Sequence, residues 1–314
     1  MELGQAKIGV LGGGVSGERE ISLISAEAAF SALQRANLDA IFIDICTSQK
    51  EKVKKIITSY GVDIAFIGLH GKFGEDGQVQ AILEELDIVY TGSDSNSSLL
   101  AMDKVLSKDK FLKTSIPTPS YWVCSDIADI PYGDIGYPVV VKPHFCGSSL
   151  GVSIVKNESD LNLAIEEAFS YGDKIIIEEY VEGREVTVGI LDEVPLPVVE
   201  IIPKKGFYDF KTKYSDSDCP QYVVPAELDD KVVRQVQEVG LCAHRALGCR
   251  HFSRVDLRLG LDDTPYVLEV NSIPGLTSHS LLPLAASACG INFDQLILRM
   301  VELALYGKKA AQKI

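Results

Sequence analysis

The chain has 314 residues, 46% of them hydrophobic and 24% charged, with a formal net charge of −14 at pH 7. That length supports two or three domains, and the acidic balance argues against nucleic acid or anionic membrane as the main partner, so any phosphate site has to be local. Seven cysteines without a C-x-x-C pair, no basic-then-apolar leader and no apolar run near the roughly 18 residues of a membrane span make a cytoplasmic protein the expectation.

Up to about residue 100 strand-like and helix-like runs alternate: AKIGVLG, EREISLISAEAAFSALQ, AIFIDI, a lysine-rich helix, IAFIGL, a short helix and IVYTG. This is a parallel βαβ plan. AMDKVLSKDKFLKTS reads as one more helix, stopped by IPTPS, after which shorter β segments follow in YPVVVKP, GVSIVKN and DKIIIEEYVEG. The last part opens with REVTVGILDEVPLPVVEII, crosses a polar stretch rich in Lys, Tyr and Asp, and continues with the helix DDKVVRQVQEVGLCAHRALG, two strands and a C-terminal helix. The expected domains are 1–100, 101–181 and 182–314, sizes in keeping with ordinary domains.

Near the start, GVLGGGVSGERE carries Gly12, Gly14 and Gly17 at the spacing of a dinucleotide-binding turn. Glu18 and Glu20 crowd the same helix end, where they satisfy the helix dipole and repel phosphate, so an ammonium ligand suits the turn better. A nicotinamide oxidoreductase remains an alternative, with Asp39 available as its downstream acid.

Three later segments carry chemistry. In SRVDLRLGLDDTPYVLEVN two period-two strands flank Asp262 and Asp263. A turn there sets Asp256 near Glu269 and Arg254 near Asn271. Asp256, Glu269 and Asn271 are a hard oxygen set suited to magnesium, or an ordinary solvated hairpin. YPVVVKPHFCGSSLG delivers Lys142 and runs into Gly147, Ser148, Ser149 and Gly151, an anion cradle or a plain turn. IIIEEYVEGREVTV offers Glu178, Val181 and Glu185 at a strand edge where an adenine could be held, or simply solvated acids. Cys242, His244, Cys249 and His251 invite a zinc reading, disfavoured because helical spacing sets the first two along one element while the others begin a strand, so that the four do not converge.

These segments, with HGKFGEDG, MDK, YDFKTKY and EVNSIPGLTSHSL in the same order along the chain, resemble the D-alanine:D-alanine ligase family of the ATP-grasp superfamily. The resemblance implies a three-domain α/β ATP-grasp fold, with an N-terminal parallel βαβ domain and central and C-terminal α+β domains sandwiching ATP. It implies phosphorylation of one D-alanine by ATP and attack of a second on the acyl phosphate, for peptidoglycan precursors. By this resemblance Lys104, Lys142, Ser149, Glu178, Val181, Glu185 and Phe207 hold ATP. Asp256, Glu269 and Asn271 hold two Mg2+ ions, with Mn2+ as a substitute. Glu18, Ser148, Tyr214, Arg254 and Gly275 serve catalysis, and His70, Lys213, Ser280 and Leu281 bind substrate.

The stretch KKGFYDFKTKYSDSD then reads as a lid, its tyrosine as the D-alanine-using rather than D-lactate-using type, and the assembly as a homodimer. A D-alanine:D-lactate-type ligase, another ATP-grasp carboxylate–amine ligase and a non-catalytic nucleotide sensor are the remaining alternatives.

Overall fold

Strands covered on both faces need no polar alternation, and the first sheet is built from such runs. In the computed structural model, which describes residues 2–203, 220–277 and 280–307, β1 (Ile8–Gly13), β2 (Ala40–Ile45), β3 (Ile64–Ile67) and β4 (Val89–Tyr90) form a parallel sheet in the order β2-β1-β3-β4. Helices α1 (Arg19–Arg35), α2 (Lys50–Tyr60) and α3 (Gln78–Glu85) supply the crossovers. Close helix approach explains the first glycine of the turn, because a Cβ at Gly12 would lie 2.7 Å from that of Ala26. Gly17 faces open space, whereas the third glycine of a dinucleotide turn serves tight helix packing.

The run read as a single helix from Ala101 is two, α4 (Ser95–Met102) and α5 (Lys104–Lys113). Asp103 ends the first with extended backbone and caps the second, accepting from the N–H groups of Val105 and Leu106, as a short polar side chain does at an N-terminus. The break puts Lys104 at the head of α5.

A second sheet, order β5-β8-β6-β7, contains β5 (Tyr121–Cys124), β6 (Val139–Pro143), β7 (Ser153–Val155) and β8 (Ile175–Glu179), covered by α6 (Leu161–Phe169). Neither β5 nor α6 was expected from the sequence. The third sheet runs β12-β11-β9-β13-β14, with β10 (Val194–Pro195) on β9. Its members are β9 (Gly183–Leu191), β11 (Val199–Ile202), β12 (Gln221–Val223), β13 (Phe252–Gly260) and β14 (Pro265–Asn271). Helix α7 (Asp230–Ala246) packs on this sheet, and Ala101, Phe111 and Ile116 from the α4–α5 region join the same apolar cluster.

The C-terminal helix of the sequence reading is also a pair, α8 (Leu281–Ala288) and α9 (Phe293–Tyr306), bent by 104° across the break. Their apolar faces enter one cluster with β1, β3 and α1, so Leu296, Ile297, Met300 and Val301 are buried against Ala26, Ala29, Ala32 and Leu33. The chain's end thus closes on its beginning, reinforced by the Arg35–Asp294 ion pair. Among the described residues no single helix is long and apolar enough to cross a membrane.

A second junction joins the first sheet to β13. The Gly92 N–H donates to His251 Nδ1 at 3.2 Å, and Arg250 donates to Gly92 O at 3.1 Å while lying over the Tyr90 ring. Accepting that bond requires the neutral imidazole, and burial, with the Arg250 charge, pushes His251 from 6.5 down to about 4. Because the unfolded chain binds the proton first, this contribution is complete above pH 6.5 and is lost as pH falls toward 4. Urea unfolding at pH 7 and at pH 4.5 is expected to show His251→Asn losing less stability on acidification than the parent, by on the order of 1–2 kcal/mol.

Candidate active site

Between the second and third sheets lies a cleft that opens to solvent. Lys142 reaches it from β6, Glu178 from β8, Val181 from the β8–β9 connection, Glu185 from β9, Asp256 from β13 and Glu269 from β14, while Lys104 enters from α5 and Ser149 from the loop after β6. Eight of the site residues read from the sequence therefore line one cavity.

The β13–β14 hairpin sets the acids. Asp256 pairs with Glu269 and Arg254 with Asn271, the expected register, but for a different reason. The loop is three residues, Leu261–Asp263, closed by Gly260 N–H to Thr264 O at 2.9 Å, with Asp263 in the left-handed region at φ +61°. The slip this introduces is undone by a bulge, since Leu257 pairs with Val267 and Asp256 with Glu269, leaving Leu268 extra. The bulge turns Leu268 into the cleft beside Glu269, as bulges re-aim side chains near sites.

Each acid meets a cation. Arg254 grips Asp256 with two bonds of 2.8 and 2.7 Å, and Thr187 Oγ1 and Asn271 Nδ2 donate to the same carboxylate. Lys104 Nζ lies 3.0 Å from Glu269 and donates to Cys146 O at 2.7 Å, tying the serine loop to the hairpin. Burial opposes the charge on Lys104, but the Glu269 carboxylate outweighs it and lifts the ammonium above the ordinary lysine range. Burial likewise works against Glu178, and Lys108 and Lys142 overcome it, holding the carboxyl below its usual range. Two carboxylates and the amide oxygen of Asn271 fit a hard divalent cation, which would exchange with these ammonium and guanidinium partners.

A second group adjoins the cleft at the first sheet. Glu18 stands just before α1, with no cap bond from its own side chain. Its carboxylate accepts from Ser148 Oγ and lies over Gly71, where a Cβ would meet Glu18 Oε2. Ser148 and Ser149 take φ of +53° and +56°, an uncommon conformation for non-glycine residues, costing about 1–3 kcal/mol each and typical of functional loops. His70 is oriented by Glu75 at 3.0 Å and by Ser25 at 2.9 Å, and Ser25 also accepts from the N–H of Leu276. Next to Leu276, Gly275 approaches Ser280 so closely that a Cβ would lie 2.8 Å from its hydroxyl. Ser280 sits at the N-cap of α8, ahead of Leu281, yet its hydroxyl accepts from Thr277 N–H instead of capping the helix.

Models of the family match at both ends: "D-ala D-ala ligase N-terminus" over residues 46–93 and "D-ala D-ala ligase C-terminus" over 124–302. A protein from Geotalea uraniireducens named D-alanine–D-alanine ligase is 44% identical over 305 residues, covering 96% of this chain and 97% of its own. The chain belongs to the D-alanine–D-alanine ligase family. The crystal structure of the Bacillus anthracis ligase complexed with ATP superposes with a TM-score of 0.84 at 32% identity, covering 98% of this chain and 99% of that one. A D-Ala:D-Ser ligase from Enterococcus faecalis superposes at 0.81 and 31% identity, covering 95% and 99%. The α/β fold, with a parallel N-terminal sheet followed by antiparallel ones, is that of these ATP-grasp ligases.

The oxidoreductase alternative fails on geometry. In the parallel pairing Ile8 lies beside Ala40 and Gly13 beside Ile45, so Asp39 is at the opposite end of the strands from the glycine turn. The acid near that turn is Asp44, which Arg19 occupies at 2.7 Å. The zinc alternative finds no support: His244 Nδ1 bonds Ser253, His251 Nδ1 bonds Gly92, and among the described residues no three or more of His, Cys, Asp and Glu are gathered as metal ligands. Phe207, Lys213 and Tyr214 lie outside the described residues.

Two charged residues of the site were missed. Lys108 is fully buried behind Glu178; its spacing of four from Lys104 on one helix was the available signal. Arg258 donates to Val181 O at 3.1 Å and Gly183 O at 2.9 Å, and stacks on Tyr180. It thereby holds the connection between the two sheets to β13, where alternation alone marked it as one more strand residue. Arg258→Met leaves both carbonyls without this donor. Hydrogen exchange at the Val181–Gly183 amides is expected to quicken by about tenfold or more, with the distant α2 amides unchanged.

Proposed function

We propose that the protein joins two D-alanine molecules to D-alanyl-D-alanine at the expense of ATP, as a step toward peptidoglycan precursors. The observation that carries this is the convergence of Lys104, Lys142, Glu178, Asp256 and Glu269 on one cleft, adjoining the Glu18–Ser148 contact. In this reading the central unit, 101–181, and the C-terminal unit, 182–314, enclose the nucleotide, and the N-terminal unit, 1–100, presents the first amino acid.

ATP lies in the cleft with its base against Glu178 and Val181, its ribose at Glu185 and its phosphates beneath Ser149, Lys104 and Lys142; Phe207 completes the nucleotide site. Asp256, Glu269 and Asn271 hold Mg2+, with Mn2+ as a substitute. When bound, the divalent ions neutralise phosphate charge during transfer. Glu18 takes the ammonium of the first D-alanine, positioned by Ser148 and Tyr214, and His70 lies near its carboxylate. One carboxylate oxygen accepts the γ-phosphoryl group, releasing ADP.

Arg254, a permanent cation, and the Gly275 N–H stabilise the oxyanion formed when the second amine attacks the acyl carbon. Phosphate then leaves, and the new amide nitrogen has given up its proton. Ser280, Leu281 and the uncapped first turn of α8 receive the carboxylate of the second D-alanine.

A homodimer belongs to the same proposal. Exposed Ile24, with Leu23, Ala28 and Phe42, forms an apolar groove on the first domain that a second copy would cover. A cytoplasmic location, where ATP is supplied, belongs to the same proposal.

Incubation with ATP, Mg2+ and D-alanine is expected to yield ADP, phosphate and the dipeptide in equal amounts, and L-alanine none; absence of dipeptide overturns the reading. D-serine and D-lactate offered with D-alanine report the breadth of the second site. Arg254→Met is expected to lower kcat by about 10²–10³ while an ATP analogue still binds in calorimetry. Chelation of divalent ions is expected to abolish turnover.

A further inference from the structure

Glu178 is 2% exposed and has two lysines on its one carboxylate. Lys142 Nζ is 2.5 Å from Oε1 and Lys108 Nζ is 2.9 Å from Oε2. The two ammonium groups are not equivalent. Lys142 lines the cleft, whereas Lys108 is fully buried, donates to Thr118 Oγ1 at 2.6 Å and lies 5.2 Å from the Tyr121 ring centroid. From α5, Lys104 reaches Glu269 on β14 while Lys108 reaches Glu178 on β8, so one helix supplies cations to both walls of the cleft.

A buried carboxylate stranded without a partner is costly. With a single lysine, Glu178 could not release it to a phosphate. With two, the cleft-lining lysine can leave and the carboxylate stays compensated. We propose that Lys108 is a positioning residue: the permanent counter-charge of Glu178, whose presence frees Lys142 for the nucleotide's phosphates while Glu178 stays ionised to accept the amino group of adenine. This rests on the ATP-dependent reading above. An ionised carboxylate accepts from adenine's amino group and repels the carbonyl oxygen that guanine carries at the same position, so the arrangement also sets base preference. Burial depresses Lys108 to about 8; the Glu178 carboxylate opposes this, and the Lys142 and Lys104 charges add to it. Departure of Lys142 therefore strengthens the remaining pair.

The test is calorimetric binding of non-hydrolysable ATP and GTP analogues to the full chain, with steady-state kinetics alongside. Lys108→Met is expected to weaken the ATP analogue by about tenfold or more, to narrow the preference for it over the GTP analogue, and to leave the KM for D-alanine little changed. Lys108→Arg is expected to restore most of the affinity. Combining Lys108→Met with Glu178→Gln removes the stranded charge, so the double variant is expected to bind the ATP analogue more tightly than Lys108→Met alone. Unchanged affinity in Lys108→Met, or a double variant no better than it, overturns the proposal.

Should Lys108→Met fail to fold, a crystal structure of the unaltered protein with the ATP analogue decides. Lys142 on the phosphates and Lys108 still on Glu178 supports the proposal, and Lys142 remaining on Glu178 refutes it. Because analogue binding needs no amino acid, a protein that makes no dipeptide would overturn the proposed function and still leave this experiment decisive.

Discussion

Setting Asp256 directly across a hairpin from Glu269 is unfavourable unless positive charge meets both, and much of the site is organised around meeting it. Arg254, two residues before Asp256 on the same strand, closes on that acid with both arms of its guanidinium. Lys104 comes from a separate helix to Glu269, and it can do so because Asp103 breaks the preceding helix and starts a new one at that point. The same ammonium group binds a carbonyl of the serine loop, so the hairpin, the helix and the loop are held by one cation. A divalent ion entering such a place substitutes one set of cationic partners for another. The protein therefore holds both carboxylates in place in advance, which is what preorganised electrostatic catalysis requires.

The parts of the sequence that were legible were those where one local rule governs. The parallel sheet followed from the regular alternation of strand-like and helix-like runs, and the hairpin register from strand symmetry about an acidic turn. That register came out right through two compensating departures, a longer loop and a bulge at Leu268; the pairing of Asp256 with Glu269 was visible, but the entry of Leu268 into the cleft was not. The α4–α5 break was hidden because Asp103 interrupts an otherwise continuous helical pattern, and its capping bonds depend on backbone angles. Strand β5 escaped because it is a four-residue strand on the edge of its sheet, with too few positions to show a period. Lys108 drew no reading from the sequence, because only the fold shows that its helix face is covered by β8 and Tyr121.

The site residues come from distant parts of the chain. Glu18 reaches Ser148, separated by 130 positions, and Leu276 reaches Ser25, separated by 251. Such contacts exist only when the first sheet, the serine loop and the segment before α8 are assembled together. The junction at Gly92 and His251 and the packing of α9 on α1 supply that assembly from two sides. Arg258 holds the short connection through which the two walls of the cleft are covalently joined. The architecture thus confines adjustment to the loops over the cleft and keeps its floor fixed.

The closure of α9 onto α1 has a further consequence for biogenesis. Ala26, Ala29, Ala32 and Leu33 leave the ribosome well before the residues that bury them, Leu296 to Val301, which follow far along the chain. While the intervening residues are made, the nascent first sheet carries an uncovered apolar stripe, the kind of surface on which chaperones act and through which partially made chains associate. Synthesis of α9, rather than completion of any one sheet, is what removes this face from solvent.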